Sequence, residues 1–147
     1  MQTRRSPRRW ICGSVDVLVS ALMFIIRYTP PSDLDLEGSC CDLQKVVAAI
    51  TSMTSDSSEL VFEADAEHDP QPYQRCLAGF KIRASDGPTR VSVANELVVV
   101  DGSMENLDIF ASFCGIHPGG HTHYEYFTGN TCIAEDSIPL VISARHE

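Results

Sequence analysis

The feature that most constrains this chain is an internal repeat. Leu34-Asp35-Leu36-Glu37-Gly38-Ser39-Cys40-Cys41-Asp42-Leu43 aligns with Val98-Val99-Val100-Asp101-Gly102-Ser103-Met104-Glu105-Asn106-Leu107 at a constant offset of 64 positions, the distance from Gly38 to Gly102. Gly-Ser coincides, Asp42 meets Asn106, Leu43 meets Leu107, and Val46 meets Phe110. Each copy runs from an extended segment through Gly-Ser into residues at helical spacing. Ser39 is of the type that caps a helix N-terminus, and Asp42 sets a carboxylate at the positive helix end. Leu43, Val46, Val47, Ile50 and Met53 then form one apolar stripe. In the second copy Leu107, Phe110, Ala111 and Cys114 do the same, and Gly115 is a natural stop.

Strand patterns surround both helices. Residues 24–28 alternate and end at Pro30-Pro31, while 34–37, 59–64, 80–83, 90–93 and 140–144 alternate or are rich in β-branched residues. The run 97–100 is apolar throughout, as a strand well inside a sheet would be. Each half therefore reads strand, strand, helix, strand, strand. The expectation is an α+β two-layer sandwich: a largely antiparallel sheet of about eight strands with two helices on one face, built as a duplicated ββαββ unit. A strand–Gly–Ser–helix junction also recurs by chance, because turn and cap select those residues, so the sandwich stands without the duplication.

A chain of 147 residues is long enough for one domain with a real core. Residues 23–147 are expected to form it. Residues 1–22 read as an upstream extension with no role in the fold, whose deletion leaves thermal stability unchanged. Their apolar run is interrupted by Asp16, and the ten residues 17–26 are too few to span a bilayer. The net charge is −9; Arg4, Arg5, Arg8 and Arg9 against Asp16 give the first 22 residues +3, which leaves −12 on the rest. Such a body repels nucleic acid and anionic membrane and favours a basic partner. The six cysteines include no CxxC pair and mostly sit in apolar segments, the pattern of reduced thiols in a cytoplasmic protein.

With helices on one face, the other face presents Asp35, Glu37, Glu63, Lys81, Arg83, Arg90 and Ser92, joined by His121, His123 and Glu125. The acidic and histidine members, Asp35, Glu37, Glu63, His121, His123 and Glu125, are the candidate partner-binding residues. Such a face is also what an ordinary solvated sheet surface looks like. The segment His121-Thr122-His123-Tyr124-Glu125 concentrates the most chemistry. Residues two apart on a strand lie about 7 Å apart on one side, so His121 and His123 can close on one metal, zinc by type, with Glu125 as a third ligand or a base.

Folding can bring His117, Asp136 or Glu135 up to complete that set, but two known H-x-H arrangements fail here. Cupins place the glutamate further on, and Ala134 stands where JAMM-type metalloproteases carry an aspartate. Cys114 lies at a helix C-terminus, which raises a thiol pKa, and Cys132 has no local signature. No glycine-rich phosphate loop precedes a helix with a lysine. No catalytic set is assigned, and a non-enzymatic binding protein without a cofactor is the leading expectation; a metal-binding protein or small metal-dependent hydrolase on His121, His123 and Glu125 is the alternative.

Residues 35–39, 79–87 and the run His121 to Ile142, with its His-x-His-Tyr-Glu-Tyr-Phe-x-Gly-Asn and Asp-Ser-Ile-Pro-Leu-Val-Ile, carry a family likeness. Across residues 23–144 the chain resembles immunity protein 32 and similar immunity proteins of bacterial polymorphic toxin systems. The resemblance implies a cytoplasmic α+β protein that binds and neutralises a cognate protein toxin. It carries over no catalytic residue.

Overall fold

The computed structural model describes residues 8–12, 15–19, 23–54 and 58–146, the first two segments by their backbone alone. The elements run β1 (Arg8–Cys12), β2 (Val15–Val19), β3 (Ile25–Thr29), β4 (Asp33–Gly38), α1 (Cys40–Thr51), β5 (Glu59–Glu63), β6 (Arg75–Cys76) and β7 (Gly79–Ala84). They continue as β8 (Arg90–Ala94), β9 (Leu97–Gly102), α2 (Met104–Cys114), β10 (His121–Tyr124) and β11 (Leu140–Ala144). The α+β class is as expected. The strands are divided between two sheets, ordered β1-β2-β5-β7-β9-β8 and β10-β11-β4-β3-β6.

The offset of 64 is structural. β4 and β9 coincide along their whole length at that offset, and so do the first residues of α1 and α2. Both helices are capped alike: Ser39 Oγ accepts from the Asp42 N–H at 2.9 Å, and Ser103 Oγ from the Asn106 N–H at 3.2 Å. Both junction glycines are demanded by close approach. A Cβ on Gly38 would come within 2.8 Å of the Phe24 ring, and one on Gly102 within 2.9 Å of the Thr89 backbone. Gly-Ser therefore recurs because each copy brings a neighbouring strand against the end of its own.

The copies exchange strands. β3-β4-α1-β5-β7 is the first unit and β8-β9-α2-β10-β11 the second, yet β5 and β7 lie beside β9 and β8, while β10 and β11 lie beside β4 and β3. Each four-stranded unit is antiparallel at its flanks and parallel at its centre, where β7 meets β9 and β11 meets β4. The β8–β9 hairpin turns through Asn95 and Glu96, both at positive φ, as a two-residue loop matched to strand twist requires.

The inner faces and both helices share one core. Ile26, Leu36 and Leu140 of one sheet meet Phe80, Val98 and Val100 of the other, with Phe110 of α2, around a space too small for a water molecule. Phe24, Phe62 and Phe80 form one aromatic cluster, with centroids 4.7–6.1 Å apart. Phe110 and Phe113 each pack edge-on to Tyr124 at 5.0 Å. Burying each such ring stabilises the fold by about 1.5–3 kcal/mol.

Two features depart from the expected layout. The polar face is not one surface, because Glu63, Lys81, Arg83, Arg90 and Ser92 belong to strands of a different sheet from Asp35, Glu37, His121 and His123. The polar stretch after β5 ends in β6, which pairs with β3 through Arg27–Cys76 and Tyr28–Arg75. Of residues 1–22, the backbone of β1 and β2 is described, with β2 parallel to β5; 1–7, 13–14 and 20–22 lie outside the described residues, as do all side chains of this stretch. No helix among the described residues is long and apolar enough to cross a membrane.

Candidate functional site

The candidate surface is the outer face of the sheet β10-β11-β4-β3-β6. Strand alternation turns Leu34, Leu36 and Tyr124 into the core and leaves the intervening residues outside. The registers then lay two rows across the sheet. One runs His121, Ser143, Glu37, Ile25; the other His123, Val141, Asp35, Arg27, Cys76.

The middle of this face is a half-buried charge network. Arg27 donates to Glu37 at 2.7 Å and to Asp35 at 3.4 Å. Arg145 donates to the other Glu37 oxygen at 3.2 Å and to the Met23 carbonyl at 2.9 Å. Ser143 Oγ donates to Asp35 at 3.4 Å. Arg27 Nε is buried with no hydrogen-bond partner. Asp35 is 9% exposed. Burial pushes its pKa up, Arg27 pulls it down and Glu37 pushes it up again, and the net direction is upward. Burial also pushes Glu37 up, but hydrogen bonds from Arg27 and Arg145 outweigh it and hold this carboxyl below its ordinary value.

A loop rims the face near β3. The Gln74 N–H donates to Thr29 Oγ1 at 2.9 Å, which ties residues 65–74 down. Tyr73 is held above its usual phenol range by burial and by the charges of Asp35 and Asp33. The Cys76 thiol is likewise raised, first by burial and then by Asp65 and Asp69, against an opposing pull from Arg27. Burial alone pushes Cys114 up to about 12. Neither thiol is activated as a nucleophile.

Six residues were candidates from sequence, and the structure separates them. Asp35, Glu37, His121 and His123 share the face just described. Glu63 is exposed on β5 in the other sheet, and Glu125 is exposed just past the end of β10. Asp35 and Glu37 are engaged with Arg27, so the freely presented groups are the two histidines. Their rings pack edge-on with centroids 5.2 Å apart. Among the described residues, no three or more His, Cys, Asp or Glu side chains are arranged to hold a metal ion. Arg27, Arg145 and Tyr73 were not singled out from sequence, since their role depends on strand order and on a loop folding back.

The face presents two exposed imidazoles beside half-buried carboxylates on a sheet. No family model, curated protein or solved structure matches this chain.

Proposed function

We propose that this chain is a non-enzymatic binding protein of the immunity type, which neutralises a cognate basic bacterial toxin in the cytoplasm by direct protein–protein contact. One observation carries the reading. From residue 23 onward the seven basic side chains, Arg27, Lys45, Arg75, Lys81, Arg83, Arg90 and Arg145, each lie within 4.0 Å of a carboxylate. Nine carboxylates make no ion pair among the described residues: Asp33, Glu63, Glu67, Asp69, Asp86, Glu105, Asp108, Glu125 and Glu135. All nine are exposed. The positive charge is neutralised internally while the surplus negative charge is presented outward. That arrangement speeds capture of a basic protein and shields its anion-binding surface. The likeness of residues 23–144 to immunity proteins points the same way.

The test begins with the neighbouring gene, which is expected to encode a secreted toxin. Co-expressing this chain with that toxin domain should restore growth, and binding should be tight and weaken as salt rises. Absence of any toxin gene nearby, or a toxin neither bound nor neutralised, would contradict the proposal.

The 5.2 Å approach of His121 and His123 favours metal binding as the second reading. Purified protein would then hold stoichiometric zinc that disappears in the His121→Ala, His123→Ala double variant. Metal-free wild-type protein would remove that reading.

A further inference from the structure

We propose that the free edge of β10 is a strand-addition site, which receives an extended, basic segment of the protein partner in parallel orientation. The inference rests on the immunity-type reading and names the surface through which it acts.

The argument starts from the exchange of strands between the two copies. Two four-stranded units present four outer edges: β5, β8, β3 and β10. β3 is covered by β6. β8 is covered at the corresponding place by the segment before β11: Thr89 bridges Ile133, the Ala134 N–H donates to the Thr89 carbonyl at 2.8 Å, and the Ile138 N–H donates to that of Val91 at 2.9 Å. β5 is covered by β2, parallel, from Val15 opposite Glu59 to Leu18 opposite Phe62. Its counterpart β10 has no strand on its outer side among the described residues.

The backbone of that edge is available. The Ala144 N–H donates to the Gly120 carbonyl. By the alternation of antiparallel pairs, Thr122 and Tyr124 then bond across to Ile142 and Leu140. His121 and His123 occupy the intervening positions, so their N–H and C=O groups point away from β11. On β5 the same reasoning, from the Ala64 N–H donating to Ala78, turns the groups of Glu59 and Val61 away from β7 and toward β2.

The surroundings specify the occupant. Thr122 Oγ1 donates to the Phe113 carbonyl at 2.8 Å, and Phe113 packs on Tyr124, so α2 flanks the inner side of the edge. Ile109, one helical turn earlier, is 37% exposed, unusual for an isoleucine of this molecule. Apolar side chains of an added strand would face the same inner side as Thr122 and Tyr124, toward α2. Its alternate side chains would lie outward beside His121, His123 and the exposed, unpaired Glu125, where a basic group meets a carboxylate and the chain as a whole carries −9. A second copy of this chain is a poor occupant, since two molecules each at −9 repel. Strand addition draws affinity from main-chain hydrogen bonds and specificity from alternating side chains.

The test measures binding of the toxin domain encoded beside this chain's gene to the intact protein, to His121→Pro and to His123→Pro. Each proline removes one outward N–H and spares the bonds to β11. The expected result is a loss of affinity of roughly tenfold or more in each variant. Because a variant can also lose its fold, amide exchange in the wild-type complex is the second readout: the His121 and His123 amides should slow on binding. Wild-type protein that fails to bind defeats the immunity reading, and this inference with it. Wild-type binding with unaffected proline variants and unchanged amides overturns the inference alone. Amides that slow with concentration in the protein by itself assign the edge to a second copy and overturn it too.

Discussion

On β5 the outward backbone groups of Glu59 and Val61 are met by β2, while on β10 those of His121 and His123 are met by nothing among the described residues. These are the same edge of the same unit, copied. The difference arises because β2 precedes the first copy, whereas the stretch preceding the second copy is already occupied as β7. The repeat carries the strands, the caps and a cover on β3 and β8, but among the described residues it carries no second cover on this edge. An uncovered edge invites pairing, so a protein that keeps one bare either uses it or blunts it. Here it is short, four residues, and carries two exposed histidines.

The halves differ in their cores too, and this gives the largest expected effect. Phe110 and Val46 are repeat-equivalent and both fully buried. Phe110→Ala should cost about 3–5 kcal/mol, against roughly 2 kcal/mol for Val46→Ala, by urea denaturation. Equal losses would mean the two helices do not divide the packing as their contacts indicate.

The outer faces give the next. Arg27 is 15% exposed between Asp35 and Glu37, whereas Arg83, beside Asp101 on the other sheet, is 43% exposed. Arg27→Met leaves Asp35 desolvated without a counter-charge and takes one of the two arginines from Glu37, and should cost about 2–3 kcal/mol. Arg83→Met should cost less than about 1 kcal/mol, because water screens that pair.

A smaller effect concerns pH. Glu37 has a lowered pKa in the folded state, so its contribution is present above its unfolded pKa of about 4.3 and is lost as pH falls through the folded value. Asp35 is raised, so its ionisation weakens the fold as pH rises, with opposite sign. Glu37→Gln should therefore flatten the acid limb of the stability curve below about pH 4.3. An unchanged limb in chemical denaturation across that range would contradict the network.

The smallest effect concerns the extension. Removing residues 1–22 takes β2 from its partner, and the Glu59 and Val61 amides should then exchange as fast as those of His121 and His123. Unchanged exchange at Glu59 and Val61 would show that β2 does not protect them.

The repeat made much of this fold legible. Gly38 and Gly102, the two serine caps and the stripes Leu43–Val46–Ile50 and Leu107–Phe110–Cys114 stand where periodicity and cap chemistry put them, because those choices are local. The exchange of strands was not legible. β7 and β9 read identically whether they pair within one copy or between two, since alternation reports which side is buried and not which neighbour lies alongside. For the same reason Glu63 was grouped with Asp35 and Glu37, and Arg27 was overlooked. β6 was hidden because two residues are too few to show a period.

Residue-resolved amide exchange on the intact chain in dilute solution tests the central claim most directly. Thr122, Tyr124, Glu59 and Val61 should be protected, and His121 and His123 should exchange freely. Protection of His121 and His123 equal to that of Glu59 and Val61 would show that the two edges are alike, and would contradict the account of two repeat-related edges of which β5 is covered and β10 is not.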